Sequence, residues 1–291
     1  MTSAAAIARG SREPDVLDKQ YTVLANRYAQ PMFAKIVGGH SIDFYSYRVG
    51  LPILCGLNYR PRPAVQSYFG CTPALDVLDG NYYFGKGGPD FVLAELEPVD
   101  GKLPAMEDRD ALLALLSCYK PVAERDGILL YRKYRSVLPG SVAPGVSDTA
   151  SVVAQMDQWC QAPDLRFPYV AARMSVKPTL LELVGRAVFR PRILYIDVQD
   201  ESGHVSTHRL GGQNVSRGLL MRPLIGDTSD LLAVGTGHMD RSIQKFRIHY
   251  RTMFGNKYTI RNYLSDISIT FVGAQSPLDL VGKCRRMSRE P

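Results

Sequence analysis

The sequence predicts an α+β chain: a small α/β layered domain over residues 15–135, then a jelly-roll-like β-sandwich over residues 165–273. Three observations carry this. Helix-spaced apolar positions alternate with short strand-like runs in the first half. Between Ser136 and Ser151 the composition shifts to Pro, Gly, Ser and Val. Beyond it, short strands recur with glycine turns between them. Residues 136–164 are read as a linker and residues 274–291 as a basic tail.

Residues 15–37 carry Val16, Leu17, Tyr21, Leu24, Tyr28, Met32, Phe33 and Ile36 at helical spacing. Pro31 should break or restart that helix, and Gly38-Gly39 should end it. Ser41–Tyr45 alternates as a strand, Leu51–Leu57 is a short apolar element, and Ala64–Tyr68 reads as another strand. Thr72 followed by Pro73 is a cap with proline at the first helical position, predicting a short helix to about Leu78. Phe91–Leu96 is a buried-type strand, Glu107–Ser117 a leucine-rich helix and Gly127–Arg132 a closing strand.

In the second half the expected strands are Tyr169–Val176, Ile193–Val198, Val205–Leu210, Gly218–Leu224, Lys245–Tyr250 and Ile267–Val272. Asp200-Glu201-Ser202-Gly203 is a hairpin-turn signal. Thr179–Val188 is read as a helix across the end of this domain. The two domains are expected to hold separate cores.

A chain of 291 residues with 45% hydrophobic and 22% charged content is globular in composition. No apolar run approaches the roughly 18–20 residues of a membrane span. Met1–Ser11 lacks an apolar segment long enough for a signal peptide, so the chain taken as complete reads as cytoplasmic. The net charge of +7 is uneven: residues 1–164 hold 16 Lys/Arg and 18 Asp/Glu, residues 165–291 hold 19 and 10. That basic half suits an anionic lipid or glycan surface, or a solvated face. No nucleic-acid-binding motif accompanies it, so no nucleic-acid partner is expected. In the tail, Lys283, Arg285, Arg286 and Arg289 cluster and read as disordered. Cys55, Cys71, Cys118, Cys160 and Cys284 have neither zinc-type spacing nor a disulfide pattern, and the four that lie beside apolar residues read as buried thiols.

Complete catalytic constellations are not found. His204 and His208 share a strand face but stand about 13 Å apart there, too far to chelate one ion. No G-x-S-x-G elbow supports a hydrolase around Gly235-Thr236-Gly237-His238. Gly85-Lys86-Gly87-Gly88 lacks the P-loop's length and its closing helix, and is a turn. Glu107, Asp108 and Asp110 read as charge favoured at a helix N-terminus. Glu95 and Glu97 read as solvent-exposed, with acid/base work as the alternative. No metal and no cofactor are expected.

The unit Tyr59-Arg60-Pro61-Arg62-Pro63-Ala64-Val65-Gln66-Ser67-Tyr68 is different. Prolines on either side of Arg62 fix an extended backbone. Arg62, Gln66 and Tyr68 then form either a ledge for a carboxylate, phosphate or sugar, or a junction that satisfies buried carbonyls. Aromatic planes that could stack on sugar rings occur at Tyr82, Tyr83 and Phe84, read as a loop before Gly85, and at Tyr250, Phe254 and Tyr258. The candidate ligand-binding set is Arg62, Gln66, Tyr68, Tyr82 and Tyr83.

Tyr59–Tyr68, with Ser41-Ile42-Asp43, Thr72-Pro73-Ala74-Leu75, Pro89–Leu93, Asp100–Ala105, Asp108 and Leu129–Arg132, resembles a recurring block in the soluble part of bacterial polytopic membrane proteins of glycosyltransferase-like kind. A second resembling stretch runs from Gly185 to Val272 and includes His208-Arg209-Leu210 and Ser216–Leu224. The resemblance implies a soluble domain on the extracytoplasmic face of the inner membrane, following a transmembrane bundle that this chain lacks. It supplies no catalytic residues. The expected function is a non-catalytic extracytoplasmic module that binds or presents an envelope glycan or lipid-linked sugar. Its expected partners are a glycan or anionic lipid headgroup and a membrane-embedded protein. The alternative is a soluble enzyme of sugar or acyl chemistry, using Glu95, Asp43 or His238 in an inter-domain cleft.

Overall fold

In the computed structural model, residues 13–68, 72–137, 147–180, 193–210, 216–238, 241–250 and 266–287 are described. They form a mixed α and β fold with three sheets. The chain opens with helices α1 (Glu13–Arg27) and α2 (Pro31–Val37), split at Pro31 as the sequence predicts, and Gly38 closes the second with φ 56°. Strand β1 (Ser41–Tyr45) follows, then the short helix α3 (Gly50–Leu54) and a two-residue strand β2 (Asn58–Tyr59). Helix α4 (Pro73–Phe84), strand β3 (Phe91–Ala94), helix α5 (Arg109–Cys118) and strands β4 (Tyr119–Arg125) and β5 (Ile128–Lys133) complete the first half. The sheet order is β2-β1-β3-β5-β4. β1 runs parallel to β2 and β3, and β5 runs antiparallel to β3 and β4.

Side-chain alternation gives this sheet two buried faces. Ile42, Phe44, Phe91, Leu93, Ile128 and Leu130 pack with Phe33 and Val37 of α2. Tyr45, Val92, Ala94, Leu129 and Tyr131 pack on the opposite face with Tyr83 and Phe84 of α4 and Ala111–Leu115 of α5. Asp43, by its parity in β1, belongs to that second face.

The second half builds two antiparallel sheets. One has the order β11-β8-β13-β6, from Leu219–Arg222, Tyr169–Ser175, Asp266–Ala274 and Ser147–Gln155. The other has the order β10-β9-β12-β7, from Val205–Arg209, Leu194–Asp200, Ile243–Tyr250 and Cys160–Gln161. Ile196, Val198, Phe246 and Ile248 of the second sheet share a buried cluster with Ala172, Met174, Ile269 and Phe271 of the first. Helices α6 (Thr228–Gly235) and α7 (Pro277–Met287) complete the described elements.

Several expectations need correction. Ala64–Tyr68 is a bend and a short turn, not a strand. Pro61 and Pro63 have no N–H to give a neighbouring strand, and the N–H groups of Arg62 and Ala64 donate to the Asp43 and Asp79 carboxylates instead. The Thr72 cap is present, its hydroxyl accepting from Leu75 N–H at 3.4 Å. The helix it starts runs on past Leu78 to Phe84, so Tyr82, Tyr83 and Phe84 form its last turn rather than a loop. β4 was not expected, because its charges and Pro121 hide an edge strand with a bulge after Pro121. The expected 136–164 linker contains β7 and β6, and β6 pairs with β13 along its whole length. Alternation of Ala150, Val152 and Ala154 with polar or exposed neighbours explains that strand. The tail expected to be disordered is helical from Pro277 to Met287, capped by Ser276 and anchored by buried Leu280, Val281 and Cys284. Pro139-Gly140, Pro144-Gly145, Phe254, Tyr258, Cys71 and nearly all of the expected Thr179–Val188 helix lie outside the described residues.

The cores are not separate. Ala171, Leu220, Ile225, Leu231, Val272, Ala274 and Leu280 of the second half join Tyr45, Val92, Leu112 and Tyr131 of the first in one buried cluster.

Candidate functional site

Two arrangements hold the charged residues of the first half. The first is buried. Arg62, with a fully buried side chain, reaches from the segment after β2 under the second face of the sheet. Its Nε donates to Asp108 at 3.0 Å, Nη1 to the Phe44 carbonyl at 2.8 Å and Nη2 to Ser67 at 2.8 Å. Asp43 accepts from Nη1 at 3.3 Å and from the Tyr83 hydroxyl at 2.8 Å. The guanidinium also lies 5.2 Å from the centre of the Tyr45 ring. Asp79 and Asp108 stand beside it, 3.7 Å and 3.0 Å from Arg62 Nε, and burial raises the pKa of both. Burial raises Asp108 well above its usual range, and Asp79 adds to the rise against the pull of Arg62.

A second set continues this network into the other half of the chain. Asp110 of α5 accepts from Arg109 at 2.8 Å, from Arg217 at 3.0 Å and from Arg285 of α7 at 2.8 Å. Arg217 also binds Asp76 of α4, whose other oxygen accepts the Asp110 N–H at 2.7 Å. Arg109 reaches the carbonyls of Arg217 and Gly218. Burial opposes ionisation of Asp110, yet the three guanidiniums outweigh it and hold it down to about 2. Burial, with the neighbouring Asp110 charge, pushes Asp76 up to about 7. Together Arg62, Arg109, Arg217 and Arg285 face Asp43, Asp76, Asp79, Asp108 and Asp110.

The candidate ligand residues are therefore divided. Arg62 and Tyr83 are sealed inside. Gln66 and Tyr68 are half-buried and bond each other at 2.5 Å, with Gln66 Nε2 donating to the Tyr47 carbonyl at 3.2 Å. Tyr82, also half-buried, donates to the Arg60 carbonyl at 3.0 Å. The Arg62 guanidinium faces protein acceptors, as at a structural junction, and not a solvent-accessible concavity. Glu107, Asp108 and Asp110 do stand at a helix N-terminus, but all three are buried, and Asp108 and Asp110 are held chiefly by arginines.

The second arrangement is open. β1 and β3 are adjacent and parallel, and β1 has β2 on its other side, so the chain departs to opposite sides at their carboxyl ends. Such a switch point leaves a crevice in α/β sheets. Here the segment after β1 brings Tyr47 and Arg48, and the segment after β3 brings Glu95 and Glu97. Arg48 binds Glu97 through two contacts of 2.8 Å and stands 3.2 Å from Glu95. Tyr47 donates to Glu97 at 2.8 Å. Whereas the Glu97 side chain stays 39% exposed, Glu95 is 8% exposed, a correction to its expected exposure. Its Oε2 has no partner, and burial raises its pKa, with Arg48 opposing and Glu97 reinforcing the rise. Beside it opens a cavity of about 520 Å³, lined by Tyr28, Gln30, Arg48, Leu51, Leu54, Glu95 and Ile128 among others, within the roughly 300–1,000 Å³ of small-ligand sites. Gln30 Oε1 is likewise unpartnered.

Sequence reasoning named Glu95 but not Arg48 or Gln30. The signal was available in the positions just past two parallel strands. Of the alternative enzyme residues, Asp43 is fully buried under Arg62 and His238 is exposed just beyond α6, so neither lines this cavity. Cys118 and Cys284 are buried, Cys55 and Cys160 half-buried, and burial raises all four thiols. No cluster of His, Cys, Asp and Glu suited to a metal occurs among the described residues, and no helix among them is long and apolar enough to cross a membrane. No protein-family profile and no curated protein matches the sequence.

Proposed function

We propose that this chain is a non-catalytic extracytoplasmic module of a membrane-associated system, and that it binds an envelope glycan or the sugar of a lipid-linked glycan. The two four-stranded sheets would form its β-sandwich. The observation that carries the reading is the switch-point cavity of about 520 Å³, where Tyr28, Leu51, Leu54 and Ile128 meet Arg48, Glu95 and Gln30. A sugar offers an apolar C–H face to Tyr28 and the leucines, and hydroxyls to the Arg48, Glu95 and Gln30 side chains that line the cavity. The buried network supports a binding role from the other side, because its carboxylates are committed to arginines and closed to substrate. Kinship with extracytoplasmic domains rests on the resembling blocks, and these supply Asp43, Arg62, Asp108 and Arg217 to that network.

A glycan array followed by titration of the best ligand tests the proposal, with Tyr28→Ala and Glu95→Gln as variants. Both are expected to weaken binding by about tenfold or more while the melting temperature changes little. Absence of glycan binding, or equal binding by both variants, would overturn it. The raised pKa of Glu95 favours a second reading, a sugar- or acyl-processing enzyme with Glu95 as proton donor. Conversion of the bound ligand by the wild type and not by Glu95→Gln would select that reading.

A further inference from the structure

A second cavity, of about 390 Å³, opens where the two sheets of the second half meet. Its walls are of two kinds. Leu165, Val170, Met221, Ile243 and Phe271 belong to the inter-sheet core and give it an apolar floor. Arg222, at the end of β11, stands in its polar wall with Ser242 and Gln244.

Arg222 is held in place but not neutralised. Its Nη1 donates to the Leu165 carbonyl at 3.2 Å and its Nη2 to Ser242 Oγ at 3.3 Å. Both partners are uncharged, and both contacts are long for a guanidinium. Its Nε is buried without any partner. No carboxylate lies within ion-pair distance among the described residues, although Asp164 lines the same cavity. The contrast within the molecule is sharp: Arg62, Arg109, Arg217 and Arg285 each meet at least one aspartate within 3.0 Å or closer. Ser242 is itself committed, donating to Glu201 at 2.6 Å, which turns its oxygen toward accepting from Arg222 and Gln244. A half-buried cation with only uncharged partners, in the wall of a partly apolar pocket, is the arrangement that takes a single anionic head with an apolar body behind it.

The geometry points to a second ligand site at this cavity, for a small amphipathic acid whose carboxylate or phosphate monoester pairs with Arg222 and whose hydrocarbon part lies against Leu165 and Val170. This site is separate from the switch-point cavity, shares no lining residue with it, and does not depend on the glycan reading.

Hexanoate and hexyl phosphate serve as probes, with hexanamide as the neutral control, in calorimetric titrations of the full chain at millimolar concentration. One or both acids should bind, and which one does distinguishes a carboxylate from a phosphate ligand. Hexanamide should bind at least about tenfold more weakly, the loss expected for a charge-assisted bond. Arg222→Gln should abolish the preference for the acid over the amide, and Arg222→Lys should restore part of it. Equal binding of acid and amide, an unchanged preference in Arg222→Gln, or no binding of either acid would each overturn the proposal. If Arg222→Gln does not fold, the side-chain Nε–H resonance of Arg222 in the wild type decides. It should shift on adding the binding acid and not on adding hexanamide; no shift with either acid overturns the site.

Discussion

Removing the Arg62 guanidinium while keeping its aliphatic stem, as in Arg62→Met, leaves Asp43, Asp79 and Asp108 buried without their common cation. The Phe44 carbonyl and Ser67 lose their donors in the same step. Breaking a buried pair by deleting one partner costs about 3–5 kcal/mol, because the remaining charge stays out of water. Arg62→Met should therefore lower stability by about that amount in denaturant unfolding. A change under about 1 kcal/mol, the value of an exposed pair, would show that Arg62 is not committed to the fold. The prolines around Arg62 made its position legible in the sequence: they fix the backbone and remove competing N–H donors. Its partners were not legible, because Asp43, Asp79 and Asp108 are brought together only by the packing of β1, α4 and α5.

Helices α4 and α5 approach closely at Gly80. A Cβ there would stand 2.6 Å from the Cβ of Asp110 and 3.1 Å from its backbone carbonyl carbon. In an exposed helix Gly→Ala stabilises by roughly 0.5–1 kcal/mol. Here the sign reverses: Gly80→Ala must push α5 away and pull Asp110 from Arg217 and Arg285, so a loss of about 1–3 kcal/mol is expected by thermal unfolding. A stabilised variant would mean that the two helices are not in contact at that point. Element-level signals differed in strength. Thr72-Pro73 and Pro31 marked their helix starts because capping and proline chemistry are local. Tyr82–Phe84 were misread as loop because Gly80 breaks the helical pattern, and its reason, the close approach to α5, lies in another element. β6 was hidden next to a Pro/Gly-rich stretch, since only its pairing with β13 distinguishes it from a polar connection.

At the scale of the molecule, the two halves meet through apolar packing and through charge. Tyr131 donates to the Leu231 carbonyl at 3.1 Å, Leu96 N–H to Thr228 at 2.8 Å, and Arg217 and Arg285 cross to Asp110. The composition shift after Ser136 marks where one sheet gives way to the next, and it gives no sign that both sides share a core. Such sharing is a property of faces, and apolar faces do not announce their partner. The second face of the first sheet is not buried by its own half alone: Leu112 and Tyr131 share their cluster with Leu220, Leu231 and Leu280. The switch-point cavity rests on that arrangement, because β1 and β3 are held from behind by α4 and α5, which the second half holds in turn. Differential scanning calorimetry of the whole chain tests this claim most directly. The account predicts one cooperative transition, with calorimetric and van't Hoff enthalpies equal, and a single lowered transition in Arg217→Gln. Two separable transitions in the wild type, or a change in Arg217→Gln confined to one of two, would contradict it.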